Sequence, residues 1–176
     1  KKISFIKIRE PGGNQNSEKI RKLILNKESR FNKVTDLFLY LASRSENIEK
    51  NILKNNKSKV ILIDRFIDST VAYQHYGMGV DIKLINYLNK FLLNKIKINF
   101  TFLNLVNQNN LKIRLLKRKN LNRYDKFKLS FYQKVQNGFM KIAHKNKKKY
   151  LLIDSNKDIN INKLKIINKL DEILQN

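Results

Sequence analysis

The 176-residue chain contains no cysteine, no tryptophan, a single proline and only five glycines. Without thiols, neither a disulfide framework nor a thiolate metal site can form. A signal-peptide pattern and an apolar run of membrane-spanning length are also lacking, so no membrane partner is expected and the expected location is cytoplasmic. Acidic residues are scarce: 14 Asp and Glu stand against 38 Lys and Arg, a formal net charge of +24. A surface this basic attracts polyanions, so non-specific electrostatic binding of nucleic acid is one expectation. The excess is spread thinly, however, mostly as Lys among Asn and Ile along the whole chain, as AT-rich coding would produce. Length and a hydrophobic content of 41% suit one compact domain over residues 1–176.

Hydrophobic periodicity orders the chain. Residues 1–8 (KKISFIKI) alternate as a strand and run into the turn Arg9-Glu10-Pro11-Gly12-Gly13. A helix is expected over 17–26, and a second over 35–54, capped by Thr35-Asp36. Val60-Ile61-Leu62-Ile63 reads as a strand buried on both faces, ending in Asp64-Arg65. Helices over 82–93, 108–119, 128–145 and 161–174 alternate with strands over 100–106 and 150–153. Strands and helices in alternation predict an α/β fold, a parallel sheet flanked by helices. In such sheets, ligand chemistry gathers at the carboxyl ends of the strands.

Three segments carry specific chemistry. In Arg9-Glu10-Pro11-Gly12-Gly13 two glycines allow close backbone approach, though a plain tight turn also accounts for it. Tyr40 and Arg44, four residues apart, share a helix face, where a ring can stack on a base and a guanidinium can read an oxygen. Asp64-Arg65-Phe66-Ile67-Asp68-Ser69-Thr70-Val71-Ala72-Tyr73-Gln74 leaves a buried strand with more polar specificity than a turn needs.

Together these segments resemble the thymidylate kinase family, whose members carry REPGG, an aromatic-x-x-x-Arg helix and DR[YF]-x-D-S-[ST]-x-A-Y-Q in this order. The resemblance covers nearly the whole chain and implies a P-loop nucleoside monophosphate kinase fold. It implies transfer of the γ-phosphate of ATP to dTMP, giving dTDP and ADP in dTTP biosynthesis, with Mg2+ as cofactor. Carried over residue by residue, Arg65 binds the 5′-phosphate and steadies the transferred charge, while Asp64 arranges Mg2+ or its waters. Arg21 adds a phosphate contact, and Glu10 sits near the acceptor. Tyr40 stacks on thymine, Arg44, Thr70 and Gln74 recognise the base, and Tyr73 lies near the sugar. The basic stretch at 117–127 is similar to a mobile lid, with Arg123 and Arg118 as arginines that close on the ATP phosphates. The family also implies a homodimer packed through the 36–54 helix.

The sequence departs from the family in one large respect. None of its glycines, Gly12, Gly13, Gly77, Gly79 and Gly138, opens a G-x-x-x-x-G-K-[ST] phosphate loop. The chain starts on Lys, at the family's second strand, which leads to the expectation of an N-terminally incomplete copy. The rival readings are a decayed relative retaining only the dTMP pocket, a kinase of broader pyrimidine preference, and a basic nucleic-acid-binding protein without activity. His75 and His144 are expected to make local or surface contacts only.

Overall fold

The computed structural model describes residues 3–94 and 96–175. They fall into two compact units, Lys1–Lys97 with Asn120–Phe139, and Ile98–Lys119 with Met140–Asn176. In each unit two five-residue strands pair in parallel.

In the first unit β1 (Phe5–Arg9) pairs with β2 (Val60–Asp64), Ile6 facing Ile61, Ile8 facing Ile63 and Arg9 facing Asp64. Alternate residues of a strand share a face, so these four isoleucines pack together with Ile48, Ile52 and Phe66. The opposite face is open, with Leu62 37% exposed. The expectation that this strand is buried on both faces is therefore corrected: among the described residues one face packs on helical side chains, while Leu62 on the other is exposed. Of the strand expected at 1–8, residues 5–8 lie in β1; Lys1 and Lys2 lie outside the described residues.

Between these strands run α1 (Gln15–Leu25) and α2 (Lys33–Asn47), which continues as a π-helical turn (Ile48–Ile52) and a last turn, α3 (Leu53–Asn55). Asn14 and Asn32 cap the two helices, the Asn32 side chain accepting from the amides of Val34 and Thr35. Thr35 and Asp36 therefore lie inside α2 and do not cap it, which corrects the expected start. A one-turn helix, α4 (Ile67–Thr70), passes into a π-helical turn (Val71–Gly77), and α5 (Ile82–Leu93) begins at an Asp81 cap. Leu37 and Leu41 of α2 bury against Val80 and Ile85. His75 hydrogen-bonds the Val80 carbonyl through Nδ1, 2.8 Å away, and His144 is exposed.

In the second unit β3 (Thr101–Leu105) pairs with β4 (Tyr150–Asp154), again residue for residue from Thr101 and Tyr150 to Leu105 and Asp154. Its helices are α6 (Gln108–Leu116), the end of α7 (Leu129–Lys145) and α8 (Ile159–Gln175). The core here is thin, centred on Leu103, Ala143 and Ile153, while Ile159, Ile161 and Leu164 of α8 are exposed.

Candidate functional site

At the carboxyl ends of β1 and β2 the chain is bent in unusual ways. The Glu10–Pro11 peptide is cis, and Gly12 and Gly13 have φ of 116° and 103°. A Cβ on Gly12 would lie 2.4 Å from Glu18 Oε1, and one on Gly13 would lie 2.9 Å from Asn47 Oδ1. Only glycine fits such backbone and such crowding. The turn is tied down by side chains: the Gly12 amide donates to Ser43 Oγ at 3.1 Å, the Gly13 amide to Glu18 Oε1 at 3.0 Å, and Asn47 Nδ2 to the Gly12 carbonyl at 2.6 Å. Opposite, Arg65 adopts φ of 66°, a left-handed conformation that costs a non-glycine residue about 1 kcal/mol and gathers at functional positions.

Three guanidiniums meet at this edge. Arg21 NH1 donates to the Pro11 carbonyl at 2.6 Å, Arg9 meets Glu18 at 3.2 Å, and Arg65 lies over the Tyr73 ring, 5.1 Å from its centroid. Burial, then the charge of Arg9 and more weakly that of Arg65, lowers the Arg21 pKa from its ordinary value. Arg9, Arg21 and Arg65 so gathered concentrate positive charge at this edge, where an anion would be attracted.

Rings stand beside the cations. Tyr40 is half-buried in the field of Arg65 and Tyr73, and burial pushes its phenol up to about 12. Tyr124 meets Tyr40 edge-on at 6.2 Å and Tyr73 at 6.0 Å. Thr70 is buried, and its hydroxyl has no hydrogen-bond partner, an opening for a ligand since buried polar groups are ordinarily paired.

Other expected site residues are engaged within the protein. Arg44, 1% exposed, donates from Nε to Glu10 Oε2 at 2.8 Å and from NH1 to Asn89 Oδ1 at 3.0 Å, with Phe66 beneath it at 5.1 Å. Glu10 is buried as well; desolvation raises its pKa against the lowering effect of Arg44. Two residues read from the sequence as substrate contacts thus meet each other. Gln74 is buried and donates to Asp36 at 3.1 Å.

The expected lid stretch contains a single 3-10 turn, Arg123–Lys126, closed by a reciprocal cap between Asn122 and Asp125. Arg123 pairs with Asp36, which also accepts from the Tyr124 hydroxyl at 2.5 Å. Arg118 belongs to the second unit, exposed beside Leu111, Arg114 and Leu115. The first unit therefore brings together Arg21, Arg65, Tyr40 and Tyr73, and separately joins Gln74 to Arg123 through Asp36. Sequence reading missed Asp36 and Tyr124. Spacing contained the signal for Asp36: with Tyr40 and Arg44 it forms an i, i+4, i+8 series on one helix face. Asp64 is exposed at the end of β2. Among the described residues no three His, Cys, Asp or Glu side chains cluster to hold a metal ion, and no helix is long and apolar enough to cross a membrane.

Comparison with known proteins yields consistent matches. The family model described as thymidylate kinase matches residues 1–166. A protein of Sulfurihydrogenibium sp. (strain YO3AOP1) named thymidylate kinase is 36% identical over 159 residues, 89% of this chain and 76% of that protein. Another of that name, from Wolbachia sp. subsp. Brugia malayi (strain TRS), is 38% identical over 141 residues, covering 80% of this chain and 66% of its own length. The crystal structure of thymidylate kinase from Ehrlichia chaffeensis superposes with a TM-score of 0.75 at 31% identity, covering 96% of this chain and 80% of that one.

Proposed function

Because the chain belongs to the thymidylate kinase family, with the α/β fold of P-loop nucleoside monophosphate kinases, we propose that it is a kinase transferring the γ-phosphate of ATP to dTMP. The products are dTDP and ADP, formed by direct in-line displacement. The observation that carries this reading is the arginine cluster at the β1–β2 edge, set against the rings of Tyr40 and Tyr73. It offers an anion site beside an aromatic wall, which is what a nucleoside monophosphate requires.

In this reading Arg65 and Arg21 hold the 5′-phosphate, and Arg65 meets the charge that spreads over the transferred group. Its guanidinium already lies over the Tyr73 ring before any ligand arrives. Tyr40 stacks on thymine, the unpaired Thr70 hydroxyl bonds the base, and Tyr73 packs near the sugar. Glu10 and Arg44 hold the turn and the base-facing wall through their buried pair, and Gln74 is held by Asp36 of the same helix as Arg44. Arg123 meets the ATP phosphates. Asp64, exposed and single, fits Mg2+, which keeps most of its water and takes its other ligands from phosphate. Held there, the ion would supply charge neutralisation on the phosphates. No G-x-x-x-x-G-K-[ST] cradle for the ATP phosphates occurs among the 176 residues.

A homodimer joined through α2 belongs to the same proposal, supported by Phe38, which is 51% exposed on that helix, and by its neighbour Val34. So does a cytoplasmic location. Calorimetric titration with dTMP, dUMP and dCMP, followed by MgATP-dependent phosphorylation, tests the reading. dTMP binding at least tenfold tighter than dUMP supports it, while binding of none of the three defeats it.

A further inference from the structure

The transfer chemistry gives Asp36 nothing to do, yet three donors converge on its carboxylate, which is 1% exposed. Oδ2 accepts from Gln74 Nε2 at 3.1 Å and from the Tyr124 hydroxyl at 2.5 Å, and Oδ1 accepts from Arg123 NH2. The Tyr124 ring then meets Tyr40 and Tyr73 edge-on. Arg123 lies over the rings of Phe31 and Tyr124, 5.5 Å and 5.0 Å from their centroids, and its Nε is buried without a partner. A buried ion pair gains little over well-packed apolar side chains. Stability therefore does not account for a charge placed here, whereas geometry does: one carboxylate fixes the positions of two groups on the 123–126 turn and one on the wall of the nucleotide pocket.

We propose that Asp36 is a positioning residue that fastens Arg123 and Tyr124 to Gln74 and, through the Tyr124 ring, to Tyr40 and Tyr73, the side chains read as the dTMP pocket, so that the lid arginine is set by the acceptor side of the site. The proposal rests on the reading of that pocket as the dTMP site. In Asp36→Asn the amide oxygen still serves Gln74 and Tyr124, while the amide nitrogen faces Arg123 and loses the ion pair. The substitution therefore releases the arginine selectively.

Amide hydrogen exchange on the whole chain tests this without turnover. Asp36→Asn should raise exchange across residues 123–127 by about fivefold or more and leave α5 unchanged. Arg123→Ala should do the same, and the double variant should go no further than Arg123→Ala alone. Tyr124→Phe, which keeps the ring, should give a smaller rise in the same segment and serves if Asp36→Asn does not fold. In the transfer assay Asp36→Asn should lower kcat by about tenfold with KM for dTMP within about threefold. Unchanged exchange at 123–127, a rise shared equally by α5, or additive effects in the double variant would overturn the proposal. A chain that binds no dTMP would defeat the acceptor-site reading, and the exchange pattern would still decide whether Asp36 fastens the turn.

Discussion

The two parallel strand pairs are alike in length and register and differ in what surrounds their carboxyl ends. Beyond Arg9 and Asp64 lie a cis turn, a left-handed arginine and a set of buried polar side chains. Beyond Leu105 and Asp154 lie exposed Asn turns, with Asn156 Oδ1 accepting from the Asn107 amide and from Asn110 Nδ2. Every buried polar or charged residue described, from Glu10 and Ser17 to Gln74 and Asn89, belongs to the first unit. A parallel pair needs none of these to form, since the second pair forms without them. The polar groups of the first edge therefore answer to a ligand or to the side chains that position one.

The sharpest break in this contrast is Arg65→Ala. It should lower kcat/KM for dTMP phosphorylation by about a thousandfold and move the thermal midpoint little, because the residue is exposed and alanine keeps the same left-handed backbone at similar cost. A steady-state assay with a melting curve decides it; retained activity would put the phosphate elsewhere. Next comes Arg44→Ala, which leaves the Glu10 carboxylate buried and unpaired and should cost about 3–5 kcal/mol in urea unfolding. Adding Glu10→Gln should restore part of that loss, a recovery expected only if the two side chains act as a pair.

Tyr40→Ala should weaken dTMP binding by about tenfold in calorimetry, the worth of one stacked ring, without altering phosphate affinity. If phosphate and dTMP weaken equally, Tyr40 does not face the base. The smallest effect concerns pH. The Tyr40 phenol, raised from an ordinary 10 to about 12, is disfavoured as phenolate in the folded state. Its contribution is fully present below pH 10 and is lost as pH rises towards 12. Tyr40→Phe should therefore show a shallower alkaline loss of stability over that window in urea unfolding followed against pH.

Much of the scaffold was legible. The α5 helix begins and ends where its apolar spacing put it, and β2, β3 and β4 differ from expectation by a residue at most at either end. Caps proved harder to read. Asn32 caps α2 three residues before the expected Thr35-Asp36 start, because any of several short polar side chains near a helix start can cap it and only the backbone conformation chooses. The site was legible as composition and not as pairing. Glu10 and Arg44 stand 34 residues apart, and Asp36 and Arg123 stand 87 apart. Both pairs arise only once the helices pack, so no local pattern assigns an arginine to a carboxylate in place of a nucleotide.

The glycine turn has a consequence for how this gene can drift. Lys, Asn and Ile recur along the whole chain, and a substitution towards Lys or Asn costs little where the side chain meets water. At Gly12 and Gly13, φ angles above 100° and the closeness of Glu18 and Asn47 exclude all three. Mutational pressure that rewrites the rest of the surface meets a fixed point there, and in a saturation library these two positions should hold glycine while their exposed neighbours do not.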